Sequence, residues 1–318
     1  MRILMALLLC AASAGAAWAQ AYPARPVRLI VGFAAGSTTD LIGRVIAQKM
    51  SEGLGQTVIM ENRPGAGSNI AYEVVSKAPP DGYTVLIANA GIATGATAYV
   101  KLNFNALRDF APVSQVSSTP HLLVMHPSLP VKTVKELTAF AKARPGQLNF
   151  ASTGHGNSDH MAAALYLFMT RLDMVHVTYK GGPQAAGDVL TGQVAIYFSG
   201  MPVGMPLAKA GRLRALAVTT AKRSNAAPDI PTMAESGVVG YEHSLWGMLM
   251  VPAATSKDIV ARLHREAARA VESADVRDRL ANMGVDAVGT TPEQAGAYLK
   301  SEIAKYAKVV KAIGLKIE

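Results

Sequence analysis

The chain has 318 residues, a formal net charge of +9, 6% aromatic residues and one cysteine, Cys10. Its lysines and arginines are scattered, as in Lys132, Lys135, Lys142 and Arg144, with no run of five or six like charges. That pattern argues against a nucleic-acid surface and suits a diffuse positive field that draws in small anions.

The first nineteen residues read as a secretory signal. Arg2 is a minimal positive region, Ile3 to Cys10 an apolar run, and Ala17-Trp18-Ala19 an A-x-A cleavage site. The apolar run is too short for a membrane span, which needs about 20 residues. A lipid-attachment reading of Cys10 is set aside because bulky Leu9 precedes it. Cleavage near Ala19 leaves 299 residues without cysteine, so disulfides and thiolate metal sites are excluded. That length suits two domains, each with its own core.

In chain order, strands are predicted at Val27–Val31, Val58–Glu61, Thr84–Ala88, Leu122–Val124, Asn149–Ala151, Met174–Val177, Ala195–Phe198 and Ala215–Val218. Between them, apolar spacings of three and four predict helices at Leu41–Leu54, Ile70–Lys77, Val134–Arg144 and Met161–Thr170. Such alternation predicts an α/β fold of mostly parallel sheets with helices on both faces. Further on, Lys257–Ser273, Ala274–Asn282 and Pro292–Ile313 read as helices. A composition shift near Ser117-Ser118-Thr119-Pro120 marks one domain crossing, and Pro228 and Pro231 place a second between Thr219 and Pro231. The predicted division is a signal over 1–19, a first domain of 20–120 plus 225–318, and a second of 121–224. Two connecting strands would form the hinge.

Three strand–loop–helix junctions carry the chemistry. The first is Gly36-Ser37-Thr38-Thr39-Asp40 after β-like Val27–Val31. Glycine admits close backbone approach, and the first helical amides lack internal partners and carry partial positive charge, so the junction is a ready anion site. The second is Ser152-Thr153-Gly154-His155-Gly156-Asn157 with Ser158, Asp159 and His160; the third is Tyr179-Lys180-Gly181-Gly182-Pro183. Open α/β sheets bind ligands at the carboxyl ends of their strands, where such loops gather.

Sharper motifs fit less well. No G-K-[ST] occurs, and Gly65-Ala66-Gly67-Ser68-Asn69-Ile70 lacks the third glycine of a dinucleotide loop. His155, Asp159 and His160 are metal-ligand types, but a spacing of five turns two helical histidines to different faces, and no metal site is predicted. Ser152 with His155 or His160 is the hydrolase alternative, although the G-x-S-x-G elbow is absent. Asp40 suits the first turn of its helix, Lys180 a solvated position, and Trp246 and Tyr241 packing. No cofactor is expected.

Taken in order, these stretches resemble the Bug (TctC-like) family of periplasmic solute receptors of tripartite tricarboxylate transporters. The resemblance is carried by Tyr22-Pro23-Ala24-Arg25-Pro26-Val27-Arg28, Glu61-Asn62-Arg63-Pro64-Gly65-Ala66-Gly67-Ser68-Asn69-Ile70 and Pro80-Asp81-Gly82-Tyr83-Thr84. It continues through Ser152-Thr153-Gly154-His155-Gly156, His176-Val177-Thr178-Tyr179-Lys180-Gly181-Gly182 and Pro228-Asp229-Ile230-Pro231-Thr232. It implies a two-domain Venus-flytrap receptor, type II-like, that closes around a small mono- or dicarboxylate. It further implies delivery to a membrane transporter or a sensor from the periplasm, without catalysis. The implied ligand contacts are Phe33, Gly36, Ser37, Thr38 and Thr39 in the first domain. In the second they are Ser152, Gly154, His155, Gly156 and Asn157, with Asn89, Gly181 and Asp188 as further lining positions. The chain is expected to be a monomer with no nucleic-acid partner. One departure stands out: Ala34, Ala35 and Ser37 occupy positions where the family usually has proline, proline and glycine.

Overall fold

A computed structural model describes residues 22–317; the signal-like leader lies outside them. Among the described residues no helix is long and apolar enough to cross a membrane.

Two sheets form two domains. The first contains β1 (Val27–Val31), β2 (Val58–Asn62), β3 (Thr84–Ala88), β4 (Phe110–Thr119), β10 (Leu245–Pro252) and β11 (Asp286–Ala287), in the spatial order β11-β4-β10-β3-β1-β2. The second contains β5 (His121–Met125), β6 (Asn149–Ser152), β7 (Val175–Thr178), β8 (Ile196–Gly200) and β9 (Arg214–Val218), in the order β7-β6-β8-β5-β9. The first-domain helices are α1 (Thr38–Leu54), α2 (Asn69–Ser76), α3 (Ala90–Ala98), α8 (Lys257–Glu272), α9 (Ala274–Asn282) and α10 (Pro292–Ala312). The second-domain helices are α4 (Val134–Lys142), α5 (Ser158–Thr170), α6 (Gly182–Leu190) and α7 (Met201–Lys209).

The short apolar runs become strands because both faces of each sheet are covered, so a buried strand has no polar side to alternate with. In β1, Leu29 and Val31 enter a core shared with α1, α8 and α9, while Ile30 enters the opposite core beside α2, α3 and α10. Two further clusters cover the faces of the second sheet.

The sheets are mixed, which corrects the expectation of mostly parallel sheets. β1 runs parallel to β2 and β3, and β6 runs parallel to β7 and β8. β10 is antiparallel to β3 and β4, and β5 is antiparallel to β8 and β9. These two strands arrive from the other domain and not through a crossover helix, so no βαβ connection dictates their direction.

Only Pro120 separates β4 of the first sheet from β5 of the second. The return is later than predicted. Residues 225–243, expected in the first domain, pack on the second: Met233, Val238 and Tyr241 lie in its core, and the Tyr241 hydroxyl donates to the Ala162 carbonyl at 2.7 Å. Pro228 and Pro231 break regular structure without ending the domain. The chain returns between His243 and Leu245.

β10 is anchored by an unusual pair. The Trp246 indole donates to Glu302 Oε2 at 2.8 Å, and both side chains are buried. Trp246→Phe would leave that carboxylate with Lys305 as its remaining side-chain partner. It should cost about 1–3 kcal/mol in urea unfolding; an unchanged midpoint would show that the indole bond adds nothing.

Candidate functional site

The first and second junctions share one local design. In the first, Gly36 adopts φ +79° and its N–H donates to Asp40 Oδ2, four residues on, at 2.8 Å. Asp40 also receives Arg44 Nε at 2.9 Å and Asn62 Nδ2 at 2.9 Å. In the second, Gly156 adopts φ +75° and its N–H donates to His160 Nδ1, again four residues on, at 3.1 Å. Both loops are thereby pinned before their helices begin.

Between the domains these loops enclose a cavity with an internal volume of about 30 Å³. Its first-domain wall is Phe33, Ser37, Thr38, Thr39, Asn89 and Leu245. Its second-domain wall is His121, Thr153, Ser158, Asp159 and Tyr197, with Gly182 and Gly200. Five helices, α1, α3, α5, α6 and α7, start at or next to these residues. Asn89 caps its own helix by accepting from Gly91 N at 2.8 Å. The other four helix starts have no side-chain bond from the N-cap residue, so their positive dipole ends meet at the seam, although Asp40 and Asp159 sit in the first turns of α1 and α5 and Gly182 N of α6 is taken by Ser37 Oγ. No lysine or arginine lines the cavity among the described residues.

The cleft is closed. Across the seam Gly182 N donates to Ser37 Oγ at 3.2 Å and Ala34 N to the Lys180 carbonyl at 3.1 Å. The Tyr99 hydroxyl donates to the His155 carbonyl at 3.2 Å. Glycines permit this approach. A methyl group on Gly181 would lie 2.7 Å from Ser37 Oγ and 2.8 Å from Ala34 Cβ. One on Gly200 would lie 2.9 Å from Thr38 Cβ and 3.0 Å from its Cγ2, so rotating Thr38 cannot relieve it. Gly200 has an ordinary φ of −59°, and the three atoms nearest an added methyl all belong to Thr38 of the other domain. Gly200→Ala should therefore leave melting of the free protein intact while penalising closure by about 1–3 kcal/mol, roughly tenfold or more in ligand affinity. Unaltered affinity and an unaltered solution-scattering radius would refute that role.

Of the sequence-predicted residues, Phe33, Ser37, Thr38, Thr39 and Asn89 line the cavity; Gly36, Ser152, Gly154, His155, Gly156, Asn157, Gly181 and Asp188 do not. Gly36, Gly154 and Gly156 shape the loops through positive φ, and Gly181 provides close packing. Asn157 donates to the Thr153 carbonyl at 2.9 Å, and His155 is exposed. Asp188 receives the Tyr179 hydroxyl at 2.6 Å. The carboxylate that does line the cavity is Asp159, whose four donors are Thr153 N (2.8 Å), Thr153 Oγ1 (3.0 Å), His160 N (2.9 Å) and Tyr197 Oη (3.3 Å). Thr153, Ser158, Asp159 and Gly182 sit in or beside the loops singled out from sequence. Gly200 follows from the same rule of strand carboxyl ends, applied to β8. His121, Tyr197 and Leu245 had no local signal.

The histidines correct two sequence readings. Ser152 is fully buried; its hydroxyl pairs with His176 Nε2, not with His155 or His160. It also receives Gly154 N at 3.1 Å and lies outside the cavity, so no nucleophile–base pair faces a substrate. Ring nitrogens of His155, His160 and His176 lie within 4.8 Å of one another. The helical-spacing argument missed this because His155 is in the loop and His176 comes from β7. The set nonetheless fits a metal poorly. Gly156 N–H occupies the His160 Nδ1 lone pair, and the His160 and His176 rings stack at 4.2 Å and 21°, so their in-plane lone pairs do not converge.

A second histidine pair spans the hinge. His121, opening β5, and His243, just before β10, both contact Ser158 Oγ through Nε2 at 2.9 Å. One hydroxyl proton serves only one of them, so the other must donate.

Burial lowers the pKa values of four histidines: His121 and His160 to about 3, His176 to about 4, and His243 well below its usual value. Unfolding releases them to about 6.5, so the unfolded chain binds more protons below that pH and stability falls on acidification. Asp159, raised to about 6 by burial, acts oppositely, since its costly charge is relieved as pH falls. The histidines outnumber it, and unfolding at pH 5 should take up about three protons. Urea unfolding should show lower stability at pH 5 than at pH 7.5, with His160→Gln narrowing the gap; equal stabilities would contradict buried neutral imidazoles.

Two α/β domains closing on a lined cavity across a two-segment hinge define a solute-binding receptor of the periplasmic-binding-protein class. Residues 42–315 match the family described as "Tripartite tricarboxylate transporter family receptor". Protein BugT of Bordetella pertussis is 36% identical over 302 residues, covering 94% of this chain and 93% of BugT. The structure of R. palustris Rpa4515 with adipate superposes with a TM-score of 0.90 at 36% identity, covering 93% of this chain and 99% of that one. MatC from Rhodopseudomonas palustris with bound malate gives 0.86 at 30% identity, covering 91% and 100%. The chain belongs to the tripartite tricarboxylate transporter receptor family.

Proposed function

We propose that this receptor closes on a small carboxylate and presents the closed form to the membrane subunits of a tripartite transporter or to a sensor. The observation that supports this most directly is the convergence of uncapped helix N-termini on a cavity that no lysine or arginine lines. Such ends favour an anion without a formal counter-charge. Ser37, Thr38 and Thr39 hold the carboxylate from the first domain, and the positive helix starts of α6 and α7 face it from the second. The adipate and malate bound to relatives are both carboxylates. The signal-like leader directs the chain to the periplasm, where it acts as a monomer and carries out no reaction.

Magnitudes agree. A micromolar receptor needs about −8 kcal/mol, and charge-assisted hydrogen bonds contribute roughly 1.5–3 kcal/mol each. Four to six such contacts suffice after association costs.

The mature protein, refolded to strip bound solute, should be stabilised by about 2.7 kcal/mol at 100 times the dissociation constant of a bound acid. The corresponding amide should have no effect in the same thermal-shift screen. Ser37→Val with Thr38→Val should weaken that binding about tenfold or more without unfolding the chain. A carboxylate panel without a shift would remove the carboxylate reading, and full affinity in the double variant would remove the assignment of Ser37 and Thr38.

A further inference from the structure

The cavity walls differ in charge. The first-domain wall offers hydroxyls and the uncapped start of α1, and contributes no ionisable side chain. The second-domain wall contributes Asp159, 3% exposed, on the first turn of α5. No arginine or lysine lies within hydrogen-bond or ion-pair distance of Asp159 among the described residues; every donor it has is a neutral hydroxyl or amide. By contrast Asp40, on the first turn of α1, pairs with Arg44 and stays out of the cavity.

A carboxylate held in this cavity beside Asp159 would place two anions in one poorly solvated cleft, where repulsion is screened less than in bulk water. A second acid group on the solute would worsen this. A solute that donates from its far end removes it.

We propose that the receptor selects a zwitterion: a small amino-carboxylate whose carboxylate sits at the start of α1 and whose ammonium group is read by Asp159. This rests on the carboxylate reading above and narrows it. A second polar side chain of the same wall is not fully satisfied within the protein: His121 Nδ1 is buried and makes no hydrogen bond, while His121 Nε2 is committed to Ser158.

The acid–base consequence separates the alternatives. Burial raises the Asp159 pKa to about 6, so at pH 7.5 the group is mainly ionised. The titratable side chains facing it are Tyr197 of β8 and His121 of β5, with His160 its neighbour on α5. Burial raises the tyrosine well above its usual value and holds both histidines neutral. Asp159 is therefore the group that changes charge in this wall between pH 7.5 and 5. An ammonium ligand favours the ionised form, and its affinity falls as pH drops through 6; a dicarboxylate favours the protonated form, and its affinity rises.

The test is calorimetry on the stripped mature protein with matched sets of three to six carbons. Each set comprises the amino-carboxylate, the dicarboxylate and the unsubstituted monocarboxylate. At pH 7.5 the amino-carboxylate of the best-fitting length should bind about tenfold or more tighter than the other two, and more weakly at pH 5. In Asp159→Asn its advantage should vanish while the dicarboxylate gains. Should that variant fail to fold, the wild-type ranking and the sign of the pH slope decide alone. If a dicarboxylate or monocarboxylate binds as tightly as its amino partner at pH 7.5, or binding of the amino-carboxylate strengthens at pH 5, the zwitterion inference is overturned and the carboxylate reading survives. If no member of any set binds, both fall.

Discussion

Helix amides that their own helices cannot satisfy are the constraint around which this molecule is arranged. Strands of both sheets deliver helix starts to the seam, where each leaves N–H groups without internal acceptors. The two domains satisfy part of that demand against each other, as when Gly182 N finds Ser37 Oγ. The loops satisfy another part internally, through Gly36 to Asp40 and Gly156 to His160. What remains faces the cavity. Because the donors are backbone groups on pinned loops, they are held in place before a ligand arrives, and little ordering cost falls on binding.

The same brace is built with different acceptors in the two domains, and this has consequences. Asp40 accepts from Arg44 and Asn62 as well as from Gly36. His160 accepts through a lone pair and must stay neutral to do so. The second-domain loop is thus the acid-sensitive one. Ser158, in the cavity wall, further ties that loop to both crossing segments through His121 and His243. The ligand wall and the hinge share one hydroxyl.

Most elements with both faces buried were legible, because β1, β3 and β8 carry short apolar runs (Leu29–Val31, Val85–Ala88 and Ile196–Phe198) and α1, α4 and α5 keep helical spacing. β4 was not. It carries Ser114, Gln115, Ser117 and Thr119, all buried, and reads as loop until partners such as the Thr290 carbonyl and hydroxyl are in place. In the segment 225–243, Pro228 and Pro231 look like a domain boundary in sequence, yet its residues pack on the second domain. Its allegiance is decided by Met233, Val238 and Tyr241, which pack on strands far away in sequence.

The sequence by itself determined the family resemblance, the α/β alternation and the junction at Ser37–Thr39, because helix starts and their orphan amides are local properties of a few adjacent residues. Only the tertiary structure decided which residues meet across the seam. It set Asp159, Tyr197 and His121 in the cavity and left Asp188 bonded to Tyr179 outside it. It also paired Ser152 with His176. The physical reason is that these relations depend on which face of each strand the pleat presents, and on two domains closing at glycines small enough to touch. Neither is encoded at any single stretch of the chain.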